Sequence, residues 1–381
     1  MAEKAAFWLA VLLLTYLHIG YPALISAWAF LRRGRPQPAA HLPTVSVLII
    51  AHNEAARVGA RLQNLLSLDY PRDRLEIVVA SDGSTDGTVQ RARAYVEAGI
   101  RVVAFEARRG KPAVLNDLVP NMRGEIVVLA DSRQRFEAGT ARALAEPFGD
   151  PRVGAVSGEL VLTEDPGGQG VTRGTGLYWR YEKVIRRSES QVDSTVGATG
   201  AIYAIRRALF QPIPDDTILD DVLIPLRIMR RGYRVLFEPR ARAYDSVTAS
   251  TRLELTRKVR TLAGNFQLFA RERWLLSPVH NRLWFQTLSH KGLRLVAPLL
   301  QGTVFATNLL LATEPAYRIA LVTQLLFYAA ALGGYLLRDA HQRHAVLAVP
   351  FTVCLFSWAT VVGFVRFVNG QQRVTWEKHG S

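Results

Sequence analysis

The pattern of apolar and polar positions divides the chain into three regions. Near its start, residues 5–30 form an apolar run without a formal charge, and about 20 such residues let a helix cross the hydrocarbon core of a bilayer. Near its end, three further apolar runs predict spanning helices at about residues 293–311, 317–337 and 345–368. Between them, from about residue 44 to 250, short apolar runs alternate with amphipathic stretches. The chain is therefore predicted to be a membrane protein with a sizeable soluble domain.

The middle region has the periodicity of an α/β domain. Runs rich in β-branched residues predict strands, and the stretches after them repeat apolar residues at helical spacing. The predicted strands are residues 45–51, 75–80, 101–105 and 125–130, and the predicted helices are 55–68, 88–98 and 113–119. Strands that alternate with helices imply right-handed crossovers. The predicted fold class is α/β, a mostly parallel sheet with helices on both faces, flanked by transmembrane α-helices.

Charge and aromatic residues refine this division. The formal net charge is +15, and Arg and Lys are interleaved with Trp and Phe between Arg252 and Arg294. Such a composition fits helices lying at the interface beneath an anionic leaflet, and the neighbouring spanning segment favours the membrane over nucleic acid as the partner. The predicted organisation is a transmembrane anchor, an α/β domain, amphipathic interfacial helices, C-terminal transmembrane helices and a tail, over residues 1–35, 43–250, 251–292, 293–368 and 369–381.

Basic residues beside the apolar runs indicate the orientation in the membrane. The basic cluster at residues 32–35 follows the first run, so the domain after it is predicted to be cytoplasmic, at the inner membrane of the cell. An uncleaved anchor is favoured over a signal peptide, since the run is long and lacks a convincing cleavage site. Four crossings would leave Arg373 and Lys378 outside, so a re-entrant C-terminal segment stays an open alternative. The single cysteine, Cys354, excludes a disulfide framework and a cysteine-based zinc site.

Polar residues follow each predicted strand at the point where it ends. They are His52-Asn53-Glu54, Ser81 to Gly87, Arg109-Gly110-Lys111 and Asp131 to Gln134. Ligands of parallel sheets sit beyond the carboxyl ends of the strands, so this set is expected for a site that binds a nucleoside diphosphate. Taken singly, the Asp-Gly-Ser-Thr-Asp-Gly motif is also an ordinary turn in which Asp86 caps the next helix. The occurrence of all four in this order favours the binding site.

These motifs resemble those of a known family. Ser46 to Glu54, Val78 to Thr88, and Gly110-Lys111 followed by Leu115-Asn116 are similar, in order, to the GT-A catalytic domain of family 2 glycosyltransferases. The flanking apolar helices resemble the membrane-embedded branch that contains the cellulose, chitin and hyaluronan synthases. The resemblance implies transfer of a sugar from a UDP-sugar to a glycan or lipid-linked acceptor.

The resemblance also implies roles for the residues at the strand ends. Asn53 and Glu54 would line the nucleotide pocket, and Asp82 would bind the uracil. Lys111 would lie near the diphosphate, with a solvated loop lysine as the alternative. Asp131 takes the first position of the family's Asp-x-Asp motif and would hold Mg²⁺ or Mn²⁺ against the diphosphate oxygens.

The third position of that motif departs from the family, because it is Arg133 rather than Asp. Arginine does not ligate a cation, but it binds phosphate in a bidentate way. Three hypotheses follow. The cation is held by fewer protein ligands, or Arg133 neutralises part of the diphosphate charge, or the site is weakened or inactive.

Two further motifs predict the acceptor side of the site. Gly197 to Ala204, which contains Gly200, resembles the family's acceptor-binding loop, although a tight turn before a strand has the same spacing. Asp220 and Asp221 open a predicted helix, where carboxylates also complement the helix dipole. The resemblance gives Asp221 the role of general base and Asp220 that of the acidic residue before it. A base there would take the proton of the acceptor hydroxyl as it attacks the anomeric carbon from behind, which gives a β-linked product.

A second departure concerns the length of the product. Processive members carry a Gln/Arg-x-x-Arg-Trp motif on an interfacial helix, and its tryptophan stacks on the growing sugar chain. The local match is Arg257, Arg260 and Thr261. Arg257 and Arg260 share a helical face that suits a diphosphate, an acceptor or lipid headgroups. Without the tryptophan, transfer of a single sugar to a lipid is a rival to polymer synthesis. A non-catalytic membrane scaffold that keeps the fold is the rival outside the enzymes.

Overall fold

A computed structural model of the protein describes residues 1–32, 42–163, 173–246, 251–337, 345–372 and 374. The cations Arg33, Arg35, Arg373 and Lys378, on which the predicted orientation partly depends, lie outside the described residues. The chain forms two compact units. The sheet unit comprises Arg32–Thr163, Arg186–Ser246 and Arg373–Ser381, and the helical unit comprises Met1–Leu31, Glu164–Ile185 and Val247–Gln372.

One sheet forms the centre of the sheet unit. Its strands within the described part of the chain are β1 (Val45–Ala51), β2 (Leu75–Asp82), β3 (Ile100–Phe105), β4 (Ile126–Asp131), β5 (Arg135–Phe136), β6 (Val153–Thr163), β7 (Ile202–Arg206) and β8 (Arg234–Ser246). They lie in the order β3-β2-β1-β4-β7-β6-β8-β5. The four predicted strands, now β1 to β4, are parallel to one another, but β7 runs antiparallel to both β4 and β6. The α/β fold class is therefore confirmed, with a sheet that is mixed.

The helices follow the predicted positions closely. In chain order they are α1 (Ala2–Thr15), α2 (Tyr21–Leu31), α3 (Ala55–Leu66), α4 (Thr88–Arg93), α5 (Lys111–Leu118), α6 (Thr140–Ala145), α7 (Arg173–Val192), α8 (Asp220–Arg230), α9 (Thr251–Arg271), α10 (Trp284–Thr287), α11 (Leu293–Leu310), α12 (Pro315–Leu336) and α13 (Ala345–Val368). Helix α4 is shorter than predicted, because the chain turns after Arg93 and reaches β3 through Gly99, whose φ is +89°.

Burial on both faces fixes the central strands. Val47 and Val128 on one face of β1 and β4, and Leu48 and Leu129 on the other, are at most 1% exposed. Each such side chain contributes about 1.5–3 kcal/mol relative to an exposed one. The carboxyl ends of these strands are therefore a rigid edge from which the following loops project.

Among the described residues of the helical unit, four helices are long and apolar enough to cross a membrane. They are Ala2–Leu31, Trp284–Leu310, Pro315–Leu336 and Val346–Val368. Large apolar side chains such as Leu12 and Leu326 are about two-thirds exposed on them, which suits a lipid environment. The predicted spanning segments are thus found as helices of the right length and composition.

The second of these helices begins earlier than the predicted residue 293. Its first turns are rich in polar residues, so a prediction based on continuous apolar runs does not include them. Within the helical unit, His290 Nε2 lies 3.1 Å from Glu182 Oε2, and Arg294 Nη1 pairs with the other oxygen of the same carboxylate. Opposite charges that pair in this way can be buried where single ones cannot.

Candidate active site

The loops after β1 and β2 are tied together by hydrogen bonds. Asn53 N donates to Ser84 Oγ over 3.0 Å, and Thr85 N donates to Asn53 Oδ1 over 2.8 Å. Glu54 N donates to Thr88 Oγ1 over 2.8 Å. Asn53 has a φ of +54°, in the left-handed region that asparagine tolerates better than most residues. The two residues predicted to line a nucleotide pocket therefore lie in one fixed loop pair.

Asp86 has the structural role that its motif also allowed. Its Oδ1 accepts the amide of Thr88, and its Oδ2 accepts the amide of Ala55, each over 3.0 Å. One carboxylate thus caps α4 and joins it to the start of α3. This role needs no ligand.

Asp82, at the end of β2, organises the loop before α5. Its oxygens accept the amides of Arg109 and Gly110 over 2.7 and 2.9 Å, and the residue is 4% exposed. That loop packs directly on Gly83, where an added Cβ would lie 2.4 Å from Arg108 N. Contact with uracil stays a prediction for Asp82, and each of its oxygens has a second lone pair that could accept a further hydrogen bond.

Lys111 lies at the meeting point of β4 and α8. Its Nζ is 3.0 Å from Asp220 Oδ2 and 3.4 Å from Asp131 Oδ1. Burial disfavours the charged ammonium, but attraction to Asp220, Asp131 and Asp221 outweighs burial and raises the pKa of Lys111 above its usual range. Lys111 therefore stays charged and links the carboxylates at the ends of two elements. The alternative interpretation of Lys111 as a solvated loop lysine is wrong, because its side chain is only 15% exposed.

Tyr203 supports the same cluster from β7. Its hydroxyl donates to Asp220 Oδ2 over 3.3 Å, and the side chain is completely buried. Burial, followed by the negative charges of Asp220 and Asp221, raises the pKa of Tyr203 well above its usual value. Tyr203 is therefore a neutral hydrogen-bond donor that fixes Asp220 together with Lys111.

The loop that contains Gly200 touches the start of α8. A Cβ added to Gly200 would lie 3.1 Å from Asp221 Oδ2, so the carboxylate rests against the bare backbone of this glycine. Ala198 N donates to Asp221 O over 2.8 Å, and Gly197 has a φ of +94° that favours glycine. The register of β7 on β4 sets Ile202 opposite Ala130, so the loop before β7 reaches the edge where β4 ends.

Arg133 is paired rather than exposed to solvent on its own. Its Nε lies 3.0 Å from Asp245 Oδ2, and Gln134 Nε2 donates to the same oxygen over 3.1 Å. Asp245 ends the described side chains of β8 and is 8% exposed. The departure from Asp-x-Asp is thus accompanied by a carboxylate that faces the arginine.

Three residues of this region were not predicted from the sequence. They are Tyr203, Asp245 and Arg61. Arg61 lies on α3 and is 4% exposed, with its guanidinium 4.0 Å from the centre of the Phe136 ring. Burial lowers the pKa of Arg61 to about 9, and attraction to Asp131 opposes this effect. A carboxylate near the end of a predicted extended segment was the available signal for Asp245, whereas Tyr203 had no signal of its own in the sequence.

Arg257 and Arg260 lie on α9, in the helical unit. They are three residues apart on this helix, as predicted, and both are half-buried. Thr261, at the position where the resemblance to processive members predicts tryptophan, donates its hydroxyl to Arg257 O over 3.0 Å. Its side chain therefore bonds to the main chain of its own helix.

Comparison with known proteins identifies the sheet unit. Residues 46–213, which run from the second residue of β1 to beyond β7, match the family model of glycosyl transferase family 2. This region of the chain is therefore similar to glycosyl transferase family 2. The range matched by the family model contains Asn53, Glu54, Asp82, Lys111 and Asp131, but it ends before Asp220 and Asp221.

The relatives of this glycosyltransferase domain are named for different products. The poly-β-1,6-N-acetyl-D-glucosamine synthase of Staphylococcus epidermidis is 24% identical over 60% of this chain and 56% of its own length. The β-monoglucosyldiacylglycerol synthase of Synechocystis sp. is 26% identical over 52% of this chain and 43% of its own length. The chain thus spans about half the length of the curated relatives it matches.

A solved structure is similar over almost the whole chain. The mannosyltransferase of Pyrobaculum calidifontis, in complex with GDP-Man and Mn²⁺, has a TM-score of 0.71 and 25% sequence identity. The similarity covers 95% of this chain and 99% of that protein. The combination of a GT-A domain with helical segments therefore has a counterpart among known structures.

The glycosyltransferase domain can be tested for its fit to a divalent cation. Among the residues that the structure describes, no three His, Cys, Asp or Glu side chains are grouped to hold a metal ion. The loop after β4 offers two oxygen donors: Asp131, whose side chain is 24% exposed, and Gln134 Oε1, a buried acceptor without a hydrogen-bond partner. Mg²⁺ prefers oxygen ligands and is usually bound by one or two carboxylates plus substrate phosphates. The residues present fit a cation shared with a bound diphosphate.

Proposed function

We propose that the protein is a membrane-bound inverting glycosyltransferase that moves a sugar from a UDP-sugar to a glycan or lipid-linked acceptor. The observation that supports this most directly is the cluster around Lys111. It joins Asp131, at the end of the strand that faces a donor, to Asp220, the neighbour of Asp221 at the start of α8. A transferase needs this arrangement, because donor phosphates and acceptor hydroxyl must meet within a few ångströms.

On the donor side, Asp131 would hold Mg²⁺ or Mn²⁺ together with the diphosphate. When bound, such an ion neutralises the charge that develops on the leaving nucleoside diphosphate. Lys111 has three N–H donors and directs two of them at carboxylates, so one stays available for a phosphate oxygen. Asn53, Glu54 and Asp82 would form the wall against the nucleoside, because their loops are fixed to one another.

On the acceptor side, Asp221 would act as the general base. Lys111 and Tyr203 both engage Asp220, which holds the first turn of α8 in place. Asp221 rests on Gly200, where no side chain intervenes, so an acceptor hydroxyl can approach both the carboxylate and the backbone closely. Proton transfer to Asp221 as the hydroxyl attacks from the face opposite the diphosphate inverts the anomeric centre.

The relatives support both acceptor classes. One is named for a polysaccharide and another for a glucosylated diacylglycerol. The apolar helices of the helical unit would keep either acceptor at the bilayer, and Arg257 and Arg260 would bind its anionic groups or the lipid headgroups. The basic residues after the first helix favour a cytoplasmic catalytic domain.

The test uses the full chain purified in detergent with Mg²⁺ or Mn²⁺. Release of nucleotide is measured over a panel of UDP-sugars and GDP-sugars, with membrane lipid extract as acceptor, and products are sized by mass spectrometry. We expect release from a UDP-sugar, and a fall of about 10² or more in Asp221→Asn, the usual scale for loss of a general base. Asp69→Asn, at an exposed carboxylate of the same unit, is the control and should behave as wild type.

Each result decides a separate part of the proposal. Absence of release from every donor by the wild-type protein would favour the scaffold. Release from GDP-sugars alone would correct the donor, and full turnover in Asp221→Asn would remove Asp221 from the mechanism. A ladder of long products would favour polymer synthesis over transfer of one sugar.

A further inference from the structure

We propose that Asp245 is a positioning residue, which holds Arg133 so that its two terminal nitrogens bind the diphosphate of the donor. The Arg133–Asp245 pair then takes the place of the second carboxylate of an Asp-x-Asp motif. This inference rests on the proposed function, and it adds a residue that the family motifs of this chain do not include.

Strand pairing brings the two residues together. β5 and β8 are antiparallel, with Arg135 opposite Tyr244 and Phe136 opposite Ala243. One step further along the same register sets Gln134 opposite Asp245. Asp245 Oδ2 accepts a hydrogen bond from Gln134 Nε2 over 3.1 Å and lies 3.0 Å from Arg133 Nε. The pair is therefore built into the sheet, and it is not a chance meeting of two surface side chains.

The contact uses only one side of the guanidinium. Asp245 Oδ2 lies 3.0 Å from Nε without forming a hydrogen bond with it among the described residues, so the attraction is mainly one of charge. Nη1 and Nη2 form no hydrogen bond with the described residues, and the Arg133 side chain is 29% exposed. A guanidinium held at Nε presents its two terminal nitrogens as a fork, which matches two phosphate oxygens.

The fork lies in the loop that Asp131 begins. Only Ser132 separates the two residues, and Asp131 is the carboxylate that would share a cation with the diphosphate. Without Asp245, the long Arg133 side chain would be free to adopt many rotamers, and binding would have to order it. Asp245 thus acts through Arg133, because it fixes the position of the Arg133 guanidinium.

The experiment is calorimetric titration of the full chain in detergent with Mn²⁺ present. The probes are UDP, UMP and uridine. A charge-assisted contact to phosphate predicts that Arg133→Gln lowers the affinity for UDP by about tenfold to a hundredfold. Asp245→Asn should lower it by about threefold to tenfold, and the double variant should be no worse than Arg133→Gln, because the two residues act as one unit. Uridine should bind all variants as it binds wild type.

A surface pair of the same unit serves as the control. Arg142 and Asp69 lie 3.4 Å apart and are more exposed than Arg133 and Asp245. Arg142→Gln and Asp69→Asn should therefore leave the affinity for UDP unchanged. This comparison separates loss of a placed charge from loss of any ion pair.

Three results would overturn the inference. They are unchanged affinity for UDP in Arg133→Gln, additive effects of the two substitutions, and equal loss of uridine and UDP in Arg133→Gln. If Asp245→Asn fails to fold, Asp245→Glu decides instead. It keeps the charge, so affinity for UDP within about threefold of wild type supports the inference and a larger loss with intact uridine binding contradicts it. Wild-type protein that binds no nucleotide would overturn the proposed function as well.

Discussion

Replacing Lys111 by methionine removes the one ammonium that joins Asp131 to Asp220. Methionine has a similar length and no charge, so the change is mainly electrostatic. At an effective dielectric constant of about 20, unit charges 3.0 and 3.4 Å apart attract by about 5 kcal/mol each, before the cost of burying the ammonium is subtracted. Removing one partner of a buried ion pair typically costs about 3–5 kcal/mol. Since the Asp131 side chain is 24% exposed and so partly hydrated, we expect the lower end, about 3 kcal/mol.

Differential scanning calorimetry of the full chain in detergent measures this cost. For a domain of this size, about 3 kcal/mol corresponds to a fall of about 6–12 °C in the unfolding midpoint of the sheet unit. Arg142→Met is the control. It removes an arginine whose partner, Asp69, is exposed, and pairs of that kind contribute about 1 kcal/mol or less. Mn²⁺ should raise the midpoint of Lys111→Met more than that of wild type, because a divalent ion can replace the lost charge.

Unfolding of Lys111→Met within about 2 °C of the Arg142→Met control would contradict a net stabilising role of the Lys111 ammonium. That result would mean that the free-energy cost of burying the ammonium equals the stabilisation from its two contacts with Asp131 and Asp220. Loss of activity with an unchanged midpoint would then assign Lys111 to the donor alone, without a role in the architecture of the carboxylate cluster.

Two further substitutions test the same cluster. Gly200→Ala brings a methyl group to 3.1 Å from Asp221 Oδ2, so the carboxylate must shift by a few tenths of an ångström. We expect about a fivefold fall in turnover with UDP affinity unchanged, and an unaltered rate would show that turnover does not depend on this close contact. Tyr203→Phe tests the raised pKa of Tyr203. Above about pH 10 the tyrosine of the unfolded chain releases its proton, whereas Tyr203 of the folded protein keeps it, so the folded protein loses stability as the pH rises. The variant should lose up to about 1.4 kcal/mol less per pH unit than wild type in that range, measured by denaturant unfolding, and equal slopes would contradict the assignment.

The sequence was sufficient where local pattern and global fold agree. Strand β1 was predicted with its observed bounds, Val45–Ala51, because β-branched residues buried on both faces leave no other regular structure. The strand-end rule also found Asp131 and Lys111, which the structure brings into contact. Asp220 and Asp221 were predicted at the start of a helix, and α8 begins there.

What was missed depends on pairing between distant parts of the chain. The two-residue strand β5 has no pattern of its own, and its partner in β8 is more than 100 residues away, so the meeting of Arg133 with Asp245 could not be read from either segment. Tyr203 lies in a run that is typical of any buried strand. The hydrogen bond from its hydroxyl to Asp220 depends on the position of α8, which the run itself does not indicate. The direction of β7 is likewise set by its neighbours and has no local signal.

That reversed direction has a consequence for how the two substrates are recognised. Since β7 points against β4, the segment that precedes it, and not the one that follows, arrives at the catalytic edge. On the proposed function, donor contacts would come from the linkers leaving β1, β2 and β4, and acceptor contacts from residues 197–201 and from α8. On the proposed function, we therefore expect that exchanging the short 197–201 segment with that of another transferase changes the acceptor hydroxyl and leaves the donor sugar unchanged.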